Sequence, residues 1–121
     1  DGGTRTAAIT GGYVALYLAF RHMQAIGALS AIPLTDQVAA VSCGLFEGHA
    51  VLDLDYAEDS TAQADANFVL TGGGGIIEVQ TTAEKEPFTR PQFETLFEMA
   101  ESGIRELTAL QRRALGIAEG A

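Results

Sequence analysis

The sequence has no tryptophan, one cysteine and three prolines, and its seven Lys and Arg residues are outnumbered by sixteen Asp and Glu. A lone Cys43 cannot close an intrachain disulfide. No CxxC pair or Cys/His cluster with zinc spacing accompanies it, so a disulfide scaffold and a zinc module are excluded. The thiol is expected in the core and the setting to be reducing and cytoplasmic. A net charge of −9 argues against an autonomous nucleic-acid binder, which draws on a basic surface to neutralise phosphates. No apolar run reaches the roughly 18 to 20 residues of a membrane span. The most apolar stretch, Ala7 to Phe20, is interrupted by Thr10, Gly11 and Gly12 and closes at Arg21-His22. There is no charged-then-apolar leader, and an opening at Asp1 is what a piece of something longer would show.

What is present is enough apolar material, 47% of 121 residues, for one core. We expect a single domain over residues 1–117 and a tail over 118–121. From about Thr6 to Ile26, Ile9, Tyr13, Leu16, Phe20 and Met23 recur at helical spacing, while Val14, Ala15, Leu18 and Ala19 make the other sides apolar too. Such a helix belongs in the middle of a structure, and this chain has scarcely enough material to cover it. Gln37 to Phe46 reads as an inner strand, Glu47-Gly48 as a two-residue turn, and His49 to Tyr56 as an alternating strand. Ala66 to Thr71 and Ile76 to Thr82 form a second hairpin around a loose tip at Gly72 to Gly75. Thr89, with Gln92 three residues on and Pro91 between, spells a capping box. The stripe Phe93, Leu96, Phe97, Ala100, Ile104, Leu107 and Leu115 then predicts an amphipathic helix lying on the sheet. The fold class is α+β: a mostly antiparallel four-stranded sheet packed by a buried N-terminal helix and an amphipathic C-terminal one.

Two segments carry chemistry. Gly2-Gly3-Thr4-Arg5-Thr6 puts two glycines, two hydroxyls and a guanidinium at the mouth of a helix, where outward N–H groups favour an anion and arginine grips two oxygens at once. The plain alternative is a common Gly-Gly turn with Thr6 as N-cap and Arg5 solvated. A nucleotide P-loop is excluded, since GxxxxGK(S/T) spacing is lacking. The second segment gathers Asp53, Asp55, Glu58 and Asp59, with Asp65 close behind. Crowded hard oxygen ligands suit Mg²⁺ or Mn²⁺; the alternative is solvated acids with Asp59 or Ser60 capping a short helix. Asp53 is the informative one, because it interrupts the apolar Val51-Leu52-Asp53-Leu54, where an idle charge is costly. His22 and His49 stand apart from any triad partner, so nucleophilic catalysis has no support.

Three stretches taken together resemble successive signatures of the ribonuclease PH family, in that family's order and spacing and over almost the whole chain. They are DGGTRTA-x-ITG (Asp1 to Gly11), VAAVSCGLFEGHAVLDLDYAEDS (Val38 to Ser60) and IIEVQ-x-TAE-x-EPF (Ile76 to Phe88). The resemblance implies a ribonuclease PH-like fold of the ribosomal protein S5 domain 2 type, and a phosphorolytic exoribonuclease that trims RNA 3′ ends, above all those of tRNA precursors. It implies that Gly3, Thr4 and Arg5 bind the attacking inorganic phosphate, that Asp53 and Asp59 bind Mg²⁺ or Mn²⁺, and that Asp59 assists protonation of the leaving 3′-oxygen. It further implies an N-terminal half of the same enzyme, bearing a second phosphate-binding arginine and most RNA-gripping residues, and a homo-oligomeric ring built as a trimer of dimers. This polypeptide alone is expected to be poorly stable and inactive. Ala8 departs from the family's usual serine, and Thr81 and Lys85 from its glycines. Two competing readings are a non-catalytic ring subunit, against which Arg5, Asp53 and Asp59 speak, and a small acidic interaction domain, suggested by the charge.

Overall fold

A computed structural model describes residues 3–52 and 63–118. In chain order the elements are α1 (Thr4–Ala25), β1 (Val38–Phe46), β2 (His49–Leu52), β3 (Ala64–Thr71), β4 (Ile76–Ala83) and α2 (Arg90–Leu115). The run VAAVSCGLF makes β1 an inner strand, since almost nothing in it objects to burial on both faces. The sheet order is β2-β1-β3-β4 with every pairing antiparallel. At the Glu47-Gly48 turn φ is 51° and 80°, the paired positive values of a type I′ hairpin, and Phe46 faces His49 across it.

One face of the sheet makes the core. Ala39, Val41, Cys43 and Leu45 of β1 and Ala64, Ala66, Phe68 and Leu70 of β3 meet Leu96, Ala100 and Ile104 of α2, with Ala50 and Leu52 of β2 packed beside them. Phe68, Phe93 and Phe97 form an aromatic cluster with centroids 5.6 to 6.2 Å apart. Cys43 is buried, its thiol directed at the Leu96 carbonyl at 3.8 Å. The capping box is present in full: Gln92 N donates to Thr89 Oγ1 and Thr89 N to Gln92 Oε1. Gly116, at φ 69°, closes the other end of α2.

The tip at residues 72–75 is not loose. Gly72 N donates to Gln37 O, Gly73 N to Asp36 Oδ2 and Gly75 N to Thr71 Oγ1, at 2.8 to 3.0 Å. A Cβ at Gly72 would stand 2.9 Å from Asp36 Oδ1, so glycine is needed there for close approach. Thr81 and Lys85 sit at ordinary backbone angles, because Glu47 is the one non-glycine with positive φ among the described residues. Their side chains therefore bring no left-handed strain.

Helix α1 is covered by this chain along one side only. Thr6 and Tyr13 are buried, whereas Leu16 is 45%, Leu18 46% and Ile26 65% exposed. Of the apolar line Ile9, Tyr13, Leu16, Phe20 and Met23, Tyr13 is buried and Ile9 and Phe20 are half-buried, while Leu16 and Met23 are exposed. A helix apolar all round does not choose a face by hydrophobicity, and here hydroxyl and amide groups choose it. Among the described residues, β2 pairs with Cys43 to Phe46 of β1. The Thr10 hydroxyl accepts from Ala40 N at 3.1 Å, and Gln111 Nε2 donates to Val38 O at 2.9 Å and to Thr10 O at 3.0 Å. The Ala40 amide and the Val38 carbonyl are thus met by side chains of the two helices. Among the described residues no helix is long and apolar enough to cross a membrane.

Candidate anion site at the mouth of helix α1

Gly3 stands at the N-cap of α1 with φ 82° and ψ 38°, a left-handed conformation that glycine adopts without a Cβ clash, and no side chain caps the helix there. The first hydrogen bond along the helix runs from Ala7 N to Gly3 O at 2.8 Å. The amides of the first turn point out of the mouth with partial positive charge, and no acidic residue of that turn offsets it. Thr6 is therefore inside the helix and not its N-cap. Its hydroxyl donates back to Gly3 O at 2.8 Å and lies 3.5 Å from Ser42 Oγ, which donates to Asn67 Oδ1 at 2.7 Å. This chain of polar contacts fastens the helix mouth to the second face of the sheet, through β1 and β3.

Arg5 lies over that same face. Its Nη2 donates to Glu78 Oε1 of β4 at 2.6 Å, with the two side chains 54% and 45% exposed. Thr4 and Arg5 are both exposed at the mouth. A glycine, a threonine and an arginine thus follow one another at one helix end, residue types suited to a tetrahedral oxyanion. Ala8 is exposed on α1, so the methyl in place of a serine hydroxyl disturbs nothing of this chain.

The expected acidic site, Asp53, Asp55, Glu58 and Asp59, lies outside the described residues. Asp65 is in β3, opposite Gly44 and Thr82. Among the described residues no group of three His, Cys, Asp or Glu is placed to hold a metal ion. His22 and His49 are exposed and far apart in the fold, one in the last turn of α1 and the other at the start of β2. Burial pushes the Tyr13 hydroxyl above its usual pKa, with Tyr17 and Asp36 adding to the rise and Arg112 opposing it. Tyr13 is a packing residue of α1. Ser42, Asn67 and Glu78 were not anticipated; each is a polar side chain on an otherwise ordinary strand, and only strand register reveals that they share a face.

Comparison with known proteins follows the same lines. The family described as 3′ exoribonuclease family, domain 2, matches residues 36–103, more than half the chain. Ribonuclease PH of Rhodospirillum rubrum is 66% identical over 115 residues, covering 95% of this chain and 48% of that protein. Ribonuclease PH of Caulobacter vibrioides is 62% identical over 116 residues, covering 96% and 49%. The chain spans about half the length of these curated relatives. Among solved structures, rice (Oryza sativa) Rrp46 superposes with a TM-score of 0.73 over 96% of this chain and 49% of its own, at 23% identity, and so shares the fold.

Proposed function

Because the chain belongs to the 3′ exoribonuclease family, through its domain 2, we propose that it is the C-terminal half of a phosphate-dependent 3′ to 5′ exoribonuclease. The observation that carries this reading is the mouth of α1: an arginine beside outward amides, with no acid in the first turn, in a chain 66% identical to a ribonuclease PH. Inorganic phosphate is held there by the Gly3 backbone, Thr4 and the Arg5 guanidinium. One of its oxygens attacks the phosphorus of the last phosphodiester. The bond from phosphorus to the O3′ of the penultimate nucleotide breaks, a nucleoside diphosphate leaves, and the shortened RNA gains a proton on its new 3′-hydroxyl. The protein's task is to hold the reacting oxygens in line and to balance their charge, so no nucleophilic side chain is needed.

Asp53 and Asp59 are the residues that would hold Mg²⁺ or Mn²⁺. The fit rests on the donor set of that segment, which is carboxylate oxygen throughout with no thiolate or imidazole. A bound ion would supply positive charge against the phosphoryl oxygens. Asp59 is also proposed to deliver the proton to the leaving 3′-oxygen.

The N-terminal half of the enzyme is the proposed cover for α1, which explains why Leu16, Leu18, Met23 and Ile26 are exposed in this chain alone. It would also provide the basic surface for RNA that a net charge of −9 does not. The assembled enzyme is proposed to be a ring, a trimer of dimers in the cytoplasm, acting on tRNA precursors.

The test is to incubate the chain, together with its N-terminal half, with a 3′-tailed tRNA, Mg²⁺ and inorganic phosphate, and to identify the released nucleotides by chromatography. Phosphate-dependent release of nucleoside diphosphates is the expected result. Release of monophosphates without phosphate would mean hydrolysis and overturn the mechanism.

A further inference from the structure

We propose that Glu78 is the positioning residue for Arg5, holding the guanidinium over the sheet before phosphate arrives. This rests on the reading of the α1 mouth as the phosphate site. Arg5 is a long, half-exposed side chain, and unrestrained it would sample many rotamers that miss the helix mouth. Two anchors in the structure prevent that. The backbone around it is fixed through Thr6, which is 2% exposed and meets Ser42 of β1, itself bonded to Asn67 of β3. The side chain is fixed one strand further on, where Nη2 donates to Glu78 Oε1 at 2.6 Å.

Register makes the second anchor a built feature of the sheet. Glu78 pairs with Val69 and Val69's other neighbour is Ala40, while one row along Gln80, Asn67 and Ser42 stand side by side. Cross-strand partners point to the same face, so the strand residues that receive Thr6 and Arg5 occupy adjacent rows of one surface. A guanidinium carries five N–H donors in a planar fork. Meeting one carboxylate oxygen through Nη2 leaves donors to face a second anion. The ordering that binding would otherwise impose on Arg5 is already in place. Glu78 itself need not touch phosphate.

The experiment measures initial rates of phosphorolysis against phosphate concentration in the enzyme assembled with its N-terminal half, for Glu78→Ala, Glu78→Gln, Arg5→Ala and the Arg5→Ala/Glu78→Ala double variant. For Glu78→Ala the KM for phosphate should rise about fivefold, the scale of an exposed charge-assisted pair, with kcat changed less than about twofold. Glu78→Gln, which keeps an acceptor oxygen, should recover part of that rise. In the Arg5→Ala background, loss of Glu78 should change KM no further. An unchanged KM in Glu78→Ala, or a lowered one that marks the carboxylate as a competitor of phosphate, would overturn the proposal while leaving the phosphate site intact. If Arg5→Ala itself left the phosphate KM unaltered, the site reading would fall, and this proposal with it.

Discussion

Replacing Gln111 by leucine tests how α1 is held. Gln111 is 3% exposed and bonds three residues: its Nε2 donates to Thr10 O in α1 and Val38 O in β1, and its Oε1 accepts from Gln37 Nε2, just before β1, at 3.0 Å. Leucine is close in volume and removes all three contacts. The Gln37 amide still donates to Thr108 O at 2.9 Å and Thr10 O keeps its place in the ladder of α1, so the main loss falls on the part-buried Val38 carbonyl. A buried polar group without a partner costs about 1 to 3 kcal/mol, and the lost bonds to Thr10 and Gln37 are offset by the added apolar burial, so a net loss of about 1 to 3 kcal/mol is expected. With an unfolding entropy of about 2.1 cal/mol/K per residue, that lowers the melting midpoint by roughly 4 to 12 °C for a chain of this size. Urea titration followed by far-ultraviolet circular dichroism reads the change directly, with an unaltered slope expected. The double variant with Gln37→Leu should lose less than the two single losses added together, because the side chains share a bond. A loss below about 1 kcal/mol would refute the reasoning, since Val38 O would then have another donor.

Other outcomes follow from single residues. A Cβ at Gly12 meets nothing within 4 Å, so Gly12→Ala should stabilise this chain by up to about 1 kcal/mol in thermal melts, yet weaken assembly with the N-terminal half if that half approaches α1 closely. Thr89→Ala removes the hydroxyl of the capping box and should cost about 1 kcal/mol by urea titration, whereas Thr89→Ser should cost little. The raised pKa of Tyr13 means the folded state favours its protonated form. That stability is present below the unfolded value of about 10 and lost as pH rises through the folded value, so Tyr13→Phe should lessen the fall in melting midpoint above about pH 10.

Much of the architecture was legible because its causes are local. The α2 stripe, its capping box and the Glu47-Gly48 turn each depend on residues within a few positions of one another, and all are present. The face of α1 was not legible, because its apolar residues surround the helix and the choice was made by Thr10 and Gln111, 101 positions apart. The same holds for Arg5 and Glu78, separated by 73 positions and joined only through strand register. Gly72 to Gly75 misled for a different reason: a run of glycines reads as freedom, whereas Asp36 uses the space they leave. The anion motif was visible as residue types, but its anchoring on Ser42 and Asn67 was not, since a serine and an asparagine in strands carry no periodic signal.

The bonds that seat α1 also set an order of events during synthesis. Arg21 donates to the Leu115 carbonyl and Gln111 reaches Thr10, so α1 is secured by residues 94 and 101 positions further along the chain. Until α2 is made, Val38 O and Thr10 O lack their Gln111 donor. Contacts this distant in sequence close late and slowly. The mouth of α1 would thus be translated well before the helix is fully seated, and a chain halted before Gln111 would carry that helix without its Gln111 and Leu115 contacts.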